Sequence, residues 1–142
     1  MNTVFTQEGI IFALLNDSDV RTTISGVLGV GDVAGDYDKE NITVNSLLLG
    51  SGSVQRGIVM VNIHVPDITA KVGLVTSKQR NNARLKLITE KVITALTASD
   101  HGSTYNFWLD ETSSFAVFKD AEGLDNHFSN IKVQFKFHNS NT

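Results

Sequence analysis

The stretch Gln55–Pro66, QRGIVMVNIHVP, decides how the rest of the chain is read. Val59, Val61, Ile63 and Val65 alternate with Met60, Asn62 and His64, the period of two that marks a strand with one buried face. Pro66 has no backbone donor and closes the ladder. On its N-terminal side, Gly50–Ser53 reads as a turn joining it to a second strand over residues 41–49, so that the two make a hairpin. In that second strand Ile42 and Val44 share one parity, while Leu47 and Leu49 take the other. An unbroken strand would expose one of these pairs, so a bulge is expected near Asn45 and Ser46.

Further towards the N-terminus, residues 32–40 form a polar acidic loop, and residues 22–31 read as a bent, glycine-containing extended segment. Residues 4–16 predict a helix, with Ile10, Ile11, Leu14 and Leu15, and Val4 and Phe5 before them, as its apolar stripe. Thr3 or Thr6 is its expected cap, and Glu8 suits its dipole. On the other side of Gln55–Pro66, residues 67–75 read as a connection. Thr76 and Gln79 then form a T-x-x-Q capping signal for a helix running to about Ala98, with Leu85, Ile88, Val92, Ala95 and Leu96 facing inward. Lys78, Arg80, Arg84 and Lys86 crowd the first half of that predicted helix, where the macrodipole disfavours cations. Tyr105–Leu109 and Phe115–Phe118 read as a hairpin. Ile131, Val133, Phe135 and Phe137 alternate with Lys132, Gln134 and Lys136 in a last strand, and residues 138–142 look like a flexible tail. The expected fold is α+β: a mostly antiparallel sheet of about five to six strands with two helices packed on one face, in a single domain spanning 1–142.

Composition narrows the function classes. With 142 residues, 41% hydrophobic and 19% charged, the chain can bury a core and is not disordered. It has no cysteine, so disulfides, thiolate metal sites and a cysteine nucleophile are excluded. The first nineteen residues have no basic start and only a short apolar run, which matches neither a signal peptide nor a membrane span. Net charge is −3, against nucleic acid as an obligate partner. Its distribution is uneven. Residues 1–55 carry seven acids and two bases, residues 56–91 seven bases and two acids, and residues 92–142 six acids and three bases. That pattern is either ordinary surface sampling or a means for copies of the chain to pair.

Catalytic constellations are not evident. There is no G-x-S-x-G, Walker A, H-E-x-x-H or dinucleotide fingerprint. His64, His101, His127 and His138 have no ligand partner at metal spacing on a predicted element. Asp36, Asp38 and Glu40 alternate like the opening of a calcium loop, but the Gly and Glu that complete the motif are missing. A solvated loop, or one that meets a basic partner surface, is the better reading. The basic run at residues 78–86 lacks interleaved aromatics. No enzyme activity, metal or cofactor is expected.

Four segments resemble one family. These are the N-terminal helix with the extended segment Ile24–Gly31, the strand QRGIVMVNIHVPD at Gln55–Asp67, the long helix from Ala83 to Leu96, and D-x-x-G-L…H-F-S-N-I-K-V-Q-F-K-F at Asp120–Phe137. Together the chain resembles the tail-terminator (tail-completion) proteins of long-tailed bacteriophages. It departs from them at residues 32–40, which lack the proline-rich stretch common in that family. The resemblance implies a virion protein of the tail neck, made in the host cytoplasm. It would form a homo-oligomer, a hexameric ring that ends the tail tube, touching the tail tube protein on one side and the head connector or stopper protein on the other. DNA would only pass through its channel, and no membrane would be involved. Another neck component or a tail-tube subunit, and after these a small ligand-binding domain, are the alternative readings. A ring needs two different complementary surfaces on each subunit. Arg56, Lys78, Arg80 and Arg84 are the expected basic surface, meeting Asp36, Asp38 and Glu40 of a neighbour.

Overall fold

The structure, a computed structural model, describes residues 2–31, 38–98, 104–109, 115–119 and 125–139. Its spine is a pair of thirteen-residue strands. Val54–Pro66 (β3) and Asn126–His138 (β8) pair antiparallel along their whole length, from Val54 opposite His138 to Pro66 opposite Asn126. Asn41–Leu49 (β2) flanks β3 antiparallel, and the short Leu28–Val30 (β1) lies parallel to β2 at the edge. On its other side β8 carries two strands end to end, Tyr105–Leu109 (β6) and Phe115–Lys119 (β7), both antiparallel to it. The mostly antiparallel α+β layout expected from the alternation is the one found.

One face of this sheet is covered. Val4–Asn16 (α1) and Asn82–Thr97 (α3) pack on it, with the short Val20–Thr23 (α2) beside them. Val59, Val61, Ile63 and Val65 of β3 and Ile131, Val133, Phe135 and Phe137 of β8 point into the core. They meet Ile11 and Leu15 of α1 and Leu85, Ile88, Val92 and Leu96 of α3. Each such side chain, fully buried, contributes about 1.5–3 kcal/mol. The aromatic end of the core is a cluster in which Phe107 lies 5.2 Å from Phe135 and Phe135 lies 5.4 Å from Phe137.

The bulge expected in β2 is present. The register slips between Ser46 and Leu48, and this returns Leu49 to the covered face opposite Gly57 while leaving Leu47 exposed. α1 locks the slip. Gln7, wholly buried, donates through Nε2 to Ser46 Oγ at 3.0 Å and to the Leu48 carbonyl at 2.8 Å. Glu8 Oε1 accepts the Ser46 amide at 2.7 Å, so this carboxylate serves the bulge rather than the helix dipole. Gly57 is needed beneath Gln7, because a Cβ there would meet Gln7 Oε1 and the Leu48 carbonyl within van der Waals contact. The cap of α1 is Thr3, whose amide donates to Thr6 Oγ1 at 3.1 Å. Phe5, expected on the apolar stripe, faces outward instead and is 76% exposed.

Three expectations are corrected. The T-x-x-Q signal does not start a helix: Thr76 and Gln79 lie in a strand, Val75–Gln79 (β5), paired with Ile68–Val72 (β4). The cap of α3 is Asn81, whose Oδ1 accepts the Arg84 amide at 3.2 Å, so Lys78 and Arg80 precede the helix. β6 and β7 do not form a hairpin with each other. β8 is long enough to take both in series, and strands that are each antiparallel to it run in the same direction. Finally, the predicted tail from 138 is fixed at its start. His138 ends β8, and Asn139 bonds the Ser53 carbonyl at 2.9 Å and Gln55 Oε1 at 2.7 Å. Residues 140–142 lie outside the described residues.

Candidate assembly surfaces

The hairpin β4–β5 stands away from the core. Its ten strand residues are exposed apart from the half-buried Ala70. A two-residue turn, Gly73–Leu74, closes it, with Val72 opposite Val75. Gly73 has φ +63° and no other residue of the turn has positive φ, the requirement of the II′ turn that suits the twist of a hairpin. Cross-strand pairing sorts the side chains. Ile68, Ala70, Val72 and Val75 share one face, and Thr69, Lys71, Thr76 and Lys78 share the other. Leu74 sits at the tip, 96% exposed, with Val72 and Val75 at 65% each. A two-stranded hairpin left alone in water is marginal at best, and apolar clusters of this kind mark interaction surfaces.

The root of this arm is pinned. Asp67 follows β3, and its carboxylate, almost fully buried, lies 2.6 Å from His127 Nδ1. The Asp67 amide also bonds the Asp125 carbonyl at 2.8 Å. Sequence reasoning missed the pair because the partners are sixty residues apart. The signal was their register: Asp67 continues β3 just past Pro66, and His127 lies near the start of β8. A carboxylate–imidazole pair can orient a base, but among the described residues no hydroxyl or amine side chain is bonded to it. It fastens the arm to the sheet.

The expected basic and acidic surfaces are redistributed. Arg84 and Glu40, assigned to opposite sides of a subunit contact, bind each other within one chain. Arg84 Nε reaches Glu40 Oε2 at 2.6 Å and Nη2 reaches Oε1 at 2.7 Å, while Nη2 also donates to the Thr23 carbonyl at 3.0 Å. The hydrogen bond to Glu40 raises the Arg84 pKa above its ordinary value, against the opposing effect of burial. Glu40 accepts the Ser25 amide as well, at 3.2 Å. The clasp ties α2 and the segment before β1 to α3, which is why the last residue of the acidic loop is buried. Lys86 has its own acid one turn on, Glu90 at 3.6 Å. Lys78 lies on the arm and Arg80 just behind it, both exposed. Asp38 is exposed, and Asp36 lies outside the described residues. Arg56 is on the other side of the sheet, directly opposite Lys136.

Arg56 and Lys136 belong to the uncovered face. There Asn130 Nδ2 donates to Asn62 Oδ1 at 2.6 Å, and His64 lies 5.2 Å from Phe128, which lies 5.4 Å from Phe118. Trp108, on the same face of β6, is 41% exposed.

A groove of about 760 Å³ lies between α1 and α3, lined by Phe5, Gly9, Ile10, Ala13, Leu14 and Ala95, with Asp17 at its edge. Gly9 lies on its wall, and a Cβ at that position would touch nothing.

Among the described residues no three His, Asp or Glu side chains group to hold a metal, and no helix is long and apolar enough to cross a membrane. No protein-family model matches the chain, and no curated protein matches it.

Proposed function

We propose that the chain is a structural subunit that assembles with copies of itself into a closed ring, of the kind that terminates the tube of a phage tail and joins it to the head connector. The observation that carries this reading is the β4–β5 arm, an amphipathic hairpin whose apolar side chains have no cover among the described residues. A subunit that is well packed elsewhere keeps such an arm for a partner. The four segments that resemble tail terminators support a position at the tail neck of a virion.

Native mass spectrometry of the purified chain tests the reading. A single closed species of six subunits, seen as annuli in negative-stain micrographs, is the expected result. A monomer at all concentrations sinks it and favours the ligand-binding domain. Open tubes of stacked rings would favour the tail-tube subunit.

A further inference from the structure

We infer that the groove between α1 and α3 is the socket for the arm of a second copy. The inference rests on the ring reading and names the two surfaces that would make its contact. Arm and groove match in two respects. The arm ends in Val72, Leu74 and Val75, all exposed. The groove offers Phe5, Ile10, Ala13, Leu14 and Ala95 around a space of about 760 Å³, enough for these side chains. Both are apolar surfaces left open by the packing of the described residues. Charge matches too. Residues 68–81 hold Lys71, Lys78 and Arg80 and no acid, whereas the groove is lined by Asp17 and no base. Asp17, at the rim, has no cation partner among the described residues, and neither does Lys71 or Lys78.

The arm's five-residue strands extend roughly 17 Å, and Lys71 and Lys78 lie on the face opposite its apolar one. An arm laid apolar side down therefore leaves Lys71 and Lys78 on its outer face. Because knob and socket are different surfaces, the contact is head-to-tail and propagates until the rotation closes.

The chain has no cysteine, which makes the contact directly addressable. Leu74→Cys and Ala13→Cys are made as separate proteins, mixed under assembling conditions and treated with a short bis-maleimide. The expected product is a covalent dimer joining one of each. The double variant should yield a ladder ending at the ring's subunit number. Gly9→Arg fills the groove at a position with free space, so it should weaken association about tenfold or more while the isolated subunit melts no lower than wild type. Leu74→Asp should weaken it similarly. If wild type forms rings but Leu74 and Ala13 never join and Gly9→Arg still assembles, the socket is wrong and the ring reading stands. A link formed within a single chain at high dilution also overturns the socket. If wild type stays a single subunit, the ring reading falls and takes the socket with it.

Discussion

Arg84 sits at the junction of three segments, and its guanidinium holds Glu40 with two bonds and the Thr23 carbonyl with a third. Bonds to charged groups of this kind contribute about 1.5–3 kcal/mol each in favourable cases, but Arg84 is 34% exposed, and solvent weakens the ionic part. Arg84→Ala or Glu40→Gln should therefore lower stability by about 1–3 kcal/mol, read as a fall in the urea midpoint, with no change in subunit number. The opposite outcome, an intact fold with lost assembly, would restore the intermolecular pairing first expected for these two residues. Two glycines predict opposite signs. Gly9→Ala adds a methyl group into free space in a helix and should stabilise by up to about 1 kcal/mol. Gly57→Ala drives a methyl group into Gln7 and the Leu48 carbonyl and should cost about 1–3 kcal/mol. Thermal or urea unfolding of both proteins settles the comparison. Residue identity announced little of this. Glu40 reads as one more acid in a polar loop, and its partner is forty-four residues away.

At the scale of elements, the strands with strict alternation were readable because one face of each is buried and the other is not. β3 and β8 show this, and β2 shows it once the parity conflict between Val44 and Leu49 is taken to mean a bulge. The arm was unreadable for the reverse reason. Its strands are exposed on both faces, so Ile68–Gln79 carries no burial pattern, and a Thr and a Gln three apart imitated a helix cap. Val72-Gly73-Leu74-Val75, a glycine in a run of apolar residues, was the available turn signal. β6 and β7 misled because five residues and a polar gap describe a hairpin as well as two strands sharing a long neighbour. The contact between α2 and α3 carries a pH signature. Lys91 Nζ lies 2.7 Å from Asp19 Oδ2, and this hydrogen bond, with the charge behind it, lowers the Asp19 pKa from its ordinary value. Its contribution is complete above the ordinary carboxylate value near 4 and disappears as pH falls through the lowered one. Asp19→Asn should thus lose a small stabilisation at pH 7 and match wild type in strong acid. The pair is solvent-exposed, so added salt should shrink the difference.

For the whole molecule, the helices cover one face of the sheet and leave charged side chains of the other exposed or half-buried among the described residues. Arg56 and Lys136 stand directly opposite each other there, an arrangement that costs a few tenths of a kcal/mol unless an anion lies across it. Lys136→Gln should accordingly raise the urea midpoint of the unassembled subunit slightly, and Arg56→Gln should do the same. The charge partition of the sequence has a three-dimensional counterpart. The basic middle splits between the arm, the clasp to Glu40 and the uncovered face, and it does not form one patch.

β8 has one further consequence. It is bonded to β3 along its full length on one side and to β6 and β7 in succession on the other. The amides it shares with β3 meet deuterium only when the two long strands separate, whereas those bonded to β6 and β7 are freed when these short outer strands peel away. In heavy water, the amides bonded between β8 and β3 should exchange last, at the rate set by global opening. The arm, bonded only to itself, should exchange early in the free subunit. Slowing of those few amides on assembly would give a clock, internal to each chain, of when a neighbour arrives.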